Sequence, residues 1–171
     1  MILFNHHVQF FTATCLWWRP VLRNDYHKDI LIEAWKRRVD NKNLTIYAFV
    51  IMPNHIHCMW HIQDGVNKSA FQRDLQKFTA RSLLSFMKMN DDTLLQSLEV
   101  NAADRKFQVW ERNPLSIDVY TNKVFFQKFN YIHNNPVRAG LSATPEAYRY
   151  SSAAFYETGK DEFGIITHYM G

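Results

Sequence analysis

Two histidines at i and i+2, His55 and His57, lie in the run Met52-Pro53-Asn54-His55-Ile56-His57-Cys58-Met59-Trp60-His61. On a strand, side chains alternate between faces, so both imidazoles project from one face and Ile56, Cys58 and Trp60 from the other. Paired imidazoles on a rigid strand are spaced to share a metal ion. The solvated face of a half-buried strand can also carry such a pair. His61 lies on the same face, further along. No Asp or Glu stands beside the pair, which weighs against a metal-dependent hydrolase built on His55, His57 and His61 with an acidic partner.

A second segment reads Tyr131-Ile132-His133-Asn134-Asn135-Pro136-Val137-Arg138-Ala139-Gly140. On a helix, Lys128, Tyr131 and Asn135 fall in one narrow stripe, three and four residues apart. Phe125, Phe129 and Ile132 form the neighbouring apolar stripe that docks such a helix. A phenol, a cation and an amide oxygen can then face one site. Tyrosine can act as a covalent nucleophile. A phenol ordinarily ionises near pH ~10, so a neighbouring cation such as Lys128 and a metal-held phosphate would assist it. The plainer alternative is a tyrosine packed at a helix end, with Asn135 as a cap. A third feature is the row Arg73, Lys77, Arg81 and Lys88 on one helix face. Such a row can track a phosphate backbone, although an ordinary solvated face looks similar.

The elements that must position these residues follow from hydrophobic period. Residues 8–17 are β-branched and aromatic and read as a strand, broken by Pro20. Residues 25–39 read as a helix with Ile30, Ala34 and Trp35 inward and Lys36-Arg37-Arg38 near its end. Residues 44–52 and 55–62 read as strands joined tightly through Pro53-Asn54, able to pair as an antiparallel hairpin. Residues 67–89 read as a long helix with Phe71, Leu75, Phe78 and Phe86 on one face. Residues 90–105 read as a loop or short helical insert, and 107–110 as a fourth strand. Ser116 or Asp118 is expected to cap a helix that Pro136 stops near Asn135. The tail from Pro145 carries Tyr148, Tyr150, Phe155 and Tyr156 and is expected to pack across the surface. This order predicts an α+β fold, an antiparallel sheet with helices on one face.

Composition bounds the rest. The chain has 171 residues, 47% hydrophobic and 21% charged, enough for one ordinary domain with a packed core. The core is expected over about 8–140, with a tail over 141–171 packed on it. Five Gly and five Pro exclude collagen-like and low-complexity classes. A formal charge of +4 and a pI near 9.1 suit a polyanionic partner. Aromatics at 15% leave some rings for single-stranded nucleic acid. No apolar run approaches the ~20 residues of a membrane helix, so no membrane role is expected. Met1 to Phe4 lacks the pattern of a secretory leader, so a cytoplasmic protein is expected. Cys15 and Cys58 sit among apolar residues and read as buried thiols.

The run from Met52 to His57, followed by Tyr131 to Gly140, resembles the single-tyrosine HUH transposases. The branch that includes the REP-associated tyrosine transposases is the most similar. The resemblance extends through Gln108-Val109-Trp110, Tyr120-Thr121-Asn122-Lys123 and Tyr150-Ser151-Ser152-Ala153, and covers about residues 8–156. It implies a ferredoxin-like, RRM-like fold. It implies that His55 and His57 bind Mg²⁺ or Mn²⁺ and that Tyr131 is the nucleophile. Asn135 takes the position that completes the metal site, where related insertion-sequence transposases carry Gln. The implied substrate is single-stranded DNA bearing hairpins, cut beside the hairpin with the 5′-phosphate kept on tyrosine. The released 3′-hydroxyl then attacks a phosphotyrosine to rejoin strands, with no nucleotide cofactor. Lys128, Arg73, Lys77, Arg81 and Lys88 are then DNA contacts. Insertion-sequence relatives are dimers that exchange the tyrosine helix and REP-associated relatives can act as monomers, so a homodimer stays open. A hairpin-binding protein without turnover is the rival reading.

Overall fold

The computed structural model describes residues 7–171; Met1 to His6, where no leader was read, lie outside the described residues. Four strands form one antiparallel sheet: β1 (Val8–Thr14), β2 (Leu44–Ile51), β3 (His55–Ile62) and β6 (Leu115–Val119), in the order β2-β3-β1-β6. A small hairpin, β4 (Glu99–Ala102) with β5 (Arg105–Phe107), stands apart from it. The helices are α1 (Asp25–Asp40), α2 (Lys68–Met89), α3 (Asn122–Arg138) and the short α4 (Ala153–Thr158). This is the expected α+β, ferredoxin-like arrangement.

The sheet has two buried faces, which its alternating side chains explain. On one face, Phe11, Ala13, Ile56, Cys58, Trp60 and Ile62 form a core with Leu31, Ala34 and Trp35 of α1 and Phe71, Leu75 and Leu83 of α2. On the other, Val8, Phe10, Val50 and Met59 meet Phe125, Phe129 and Ile132 of α3. The expectation of one helical face thus holds for α1 and α2, and α3 adds a layer on the second. Burying an aromatic or aliphatic side chain of this kind contributes ~1.5–3 kcal/mol, so three such residues hold α3 firmly.

Four local expectations are corrected. Residues 107–110 add no strand to the four-stranded sheet: Phe107 ends β5 of the small hairpin, Trp110 makes only an isolated bridge to Cys15, and the fourth sheet strand is β6. In β6, Leu115, Ile117 and Val119 alternate with Ser116 and Asp118, a period of two hidden by an exposed edge position. Ser116 and Asp118 therefore cap nothing; Thr121 caps α3 through Val124 N–H at 3.2 Å. Pro136 does not stop α3, because in the last turn its missing N–H costs a single bond. The helix ends instead at Gly140, with φ +70°, where Leu141 N–H donates to Pro136 O and Gly140 N–H to Val137 O. On α2 the buried stripe is Phe71, Leu75, Thr79, Leu83 and Met87; Phe78 faces solvent and Phe86 is half-buried. Residues 90–105 hold a short 3-10 turn at Thr93–Leu98 before the small hairpin.

The tail packs along β2. Ser151 bridges Val50, Ile166 bridges Ile46, and Tyr148 and Tyr156 hydroxyls donate to Ile51 O and Tyr47 O. This covers a sheet edge that would otherwise expose unpaired backbone groups. Among the described residues, no helix is long and apolar enough to cross a membrane.

Candidate active site

The strand register places the first partner of the histidine pair. His57 stands opposite Thr12 of β1, so both side chains rise from the same face. The Thr12 hydroxyl and His57 Nδ1 are 2.7 Å apart. Phe10, two residues before Thr12, stacks on the His57 ring at 5.4 Å. His57 is buried, and burial lowers its pKa to about 3, helped by the charges of His55 and Lys128. It is therefore a neutral imidazole. Its Nε2 is buried with no hydrogen-bond partner.

His55 lies 4.8 Å from His57, ring to ring, with Nδ1 at 2.7 Å from the Asn54 side-chain oxygen. Burial lowers its pKa as well, while a hydrogen bond to the Asn135 side chain opposes that shift. Each histidine thus has its Nδ1 engaged by a neighbour, which orients the ring; His57 Nε2 is left without a partner, while His55 also meets the Asn135 side chain.

α3 brings the tyrosine across this face. The Tyr131 ring sits 5.0 Å from the His57 ring and 6.2 Å from Phe10, and stays 38% exposed, so its phenol is open to a large substrate. Because α3 runs through Pro136, Tyr131, Asn135 and Arg138 lie at i, i+4 and i+7 on one stripe. The Arg138 guanidinium is 5.8 Å from the Tyr131 ring centre. Thr12, Trp18, His55, His57, Tyr131, Asn135, Arg138 and Ala139 line one cavity of about 320 Å³. All come from one chain. Lys128 sits beside it, 4.7 Å over the Phe10 ring.

The donors present suit a divalent ion: an orphaned imidazole nitrogen, a second oriented imidazole and an amide, with open positions left for substrate oxygen. Among the described residues there is no group of three His, Cys, Asp or Glu that could hold a metal; the expected set of His55, His57 and Asn135 lines one cavity with an amide in place of a third such group. His61 is not part of it. It lies four residues beyond His57, roughly 13 Å along the strand, with Nδ1 at 2.9 Å from His7 O.

The cationic row on α2 lies elsewhere. Arg73, Lys77 and Arg81 line a groove of about 1040 Å³ with Arg105, Arg112, Asp104 and Glu111. That groove shares no lining residue with the tyrosine cavity. Lys88 falls outside it, over the Phe107 ring at 5.5 Å. Sequence reasoning missed Thr12, Trp18 and Arg138. Thr12 needed the register of two distant strands; Arg138 was legible in the spacing once the helix is carried past Pro136.

Comparison with known proteins adds three findings. Residues 4–97 match the family model described as IS200-like transposase. The fold matches a REP-associated tyrosine transposase bound to a REP hairpin, with TM-score 0.65, 17% identity, 96% of this chain and 88% of that chain covered. A candidate transposase from Deinococcus radiodurans R1 is similar at TM-score 0.48 and 18% identity, covering 77% of this chain and 92% of that one. A search of curated proteins finds no match.

Proposed function

The chain belongs to the IS200-like transposase family, and from that premise we propose that it cleaves and rejoins single-stranded DNA beside hairpins through a 5′-phosphotyrosine on Tyr131. The observation that carries this reading is the convergence, within one chain, of an exposed tyrosine on two oriented histidines. A neighbour of the same fold was solved with a hairpin, which supports the substrate class.

The Tyr131 hydroxyl oxygen attacks the scissile phosphorus and forms the tyrosyl–phosphate bond. The bond from phosphorus to the 3′-oxygen breaks, and the phenolic proton ends on the released 3′-hydroxyl. Exchanging one phosphodiester for another keeps the bond energy, so rejoining needs no nucleotide cofactor. His55 and His57, with Asn135, would hold Mg²⁺ or Mn²⁺. Bound there, a divalent ion supplies Lewis-acid polarisation of a non-bridging phosphate oxygen. Thr12 and Asn54 keep the two imidazoles oriented, and Phe10 walls the site from water on the sheet side. Arg138 and Lys128 place positive charge where phosphate must approach. Arg73, Lys77 and Arg81 would follow backbone phosphates at the separate groove.

The test is cleavage of end-labelled hairpin DNA from the chain's own genomic flank. With Mn²⁺ or Mg²⁺ we expect a product whose 3′-hydroxyl a polymerase can extend, and none with chelator or with His55→Ala or His57→Ala. Tight hairpin binding without cleavage under any divalent ion would overturn the catalytic reading in favour of a binding module.

A further inference from the structure

Trp17 and Trp18 lie in the 3-10 turn Leu16–Trp18 just after β1, are 56% and 61% exposed, and take positive φ values of 51° and 56°. Trp35, Trp60 and Trp110 are buried. A bulky residue in the left-handed region is strained and persists only where its surroundings hold it. Three hydrogen bonds from two segments hold this turn. Cys15 N–H donates to Asn54 O at 2.8 Å, Leu16 N–H to Val109 O at 2.7 Å, and Trp17 N–H to the Glu111 carboxylate at 2.6 Å. Asn54 also orients His55. The turn that presents the tryptophans is thus stitched to the strand that presents the histidines. The Trp18 ring stands 5.6 Å from the His55 ring at 67° and lines the same cavity as Tyr131 and Arg138.

We propose that Trp18 is a stacking platform for an unpaired base of the DNA strand next to the scissile phosphate. This rests on the reading of the cavity as the cleavage site. An indole face stacks on any base and so tolerates sequence. The cavity also carries Thr12, His55, His57 and Asn135, with the cation Arg138 in its lining and Lys128 beside it, which suits a polyanion with flat faces rather than an apolar peptide. A base held on Trp18 fixes the position of its own phosphate relative to the Tyr131 hydroxyl, which is the orienting role a weak nucleophile needs.

The experiment uses the Tyr131→Phe chain, so that bound DNA stays intact, and a hairpin oligonucleotide with a single-stranded extension. Binding is followed by fluorescence anisotropy of labelled DNA and, separately, by intrinsic tryptophan emission. We expect the emission to be quenched as anisotropy rises. Adding Trp18→Gly keeps the positive-φ backbone without strain; it should remove most of the quenching and weaken binding about tenfold, the scale of one stacked base. Trp18→Phe should restore most of the affinity. Binding with unchanged emission, or equal affinity in Trp18→Gly, overturns the proposal and leaves the DNA reading intact. No binding to hairpin or single-stranded DNA overturns both.

Discussion

His133 lies two residues beyond Tyr131 on α3, buried between Phe129 and Tyr156, with Nε2 at 2.8 Å from the Ser152 hydroxyl. The same Ser152 oxygen accepts from Phe49 N–H at 2.9 Å. The pair therefore ties the tyrosine helix to β2 through the tail. Burial lowers the His133 pKa from 6.5 to about 4. The folded chain keeps His133 neutral down to about pH 4, while the unfolded chain takes up its proton near 6.5. Between those values the unfolded state binds more protons, so stability falls as pH drops through that window and levels below it. At ~1.4 kcal/mol per pH unit, the gap from 6.5 to about 4 corresponds to about 3 kcal/mol. His133→Gln keeps an amide able to meet Ser152 but removes the titration. Urea unfolding of both proteins at pH 7 and near pH 4, without divalent ions, isolates the effect, because carboxylates and His57 contribute equally to each. The advantage of wild type over variant should shrink by about 3 kcal/mol on acidification. An advantage that does not change with pH would refute the reasoning.

Three further outcomes are expected. Thr12→Val removes the partner of His57 Nδ1 and should weaken Mn²⁺ binding about tenfold or more by calorimetry with little change in fold; unchanged affinity would separate Thr12 from the site. Arg81→Ala should lower the slope of log affinity for hairpin DNA against log salt by about 0.9, and an unchanged slope would place the groove away from DNA. Cys15 and Cys58 are buried with raised pKa values, so a thiol reagent should label neither until urea unfolds the chain; rapid labelling of the native protein would contradict their burial.

The order of strands and helices was legible because the sheet strands β1 to β3 and the helices α1 to α3 have clear apolar periods. The His55–His57 pair and the Lys128, Tyr131, Asn135 stripe were legible for the same reason, each being a spacing within one element. What escaped was non-local or marginal. β6 has one exposed edge and alternates weakly, so its polar residues read as caps. Phe78 is aromatic yet lies off the buried stripe, under the Arg37 guanidinium. Thr12 joins His57 only through a pairing register between residues 45 apart in sequence. Pro136 was read as a stop, whereas Gly140 ends the helix, and those last residues carry Arg138 to the tyrosine. The metal-ligand and nucleophile assignments came from the resemblance, and the geometry brings those same side chains around one cavity.

The most direct measurement is covalent capture. Labelled hairpin DNA is incubated with Mn²⁺ and either wild type or Tyr131→Phe, and the products are run on a denaturing gel and digested for mass spectrometry. The account predicts a DNA-linked band in wild type alone, with the nucleotide mass on the peptide containing Tyr131. A band that persists in Tyr131→Phe would place the nucleophile elsewhere and contradict the account.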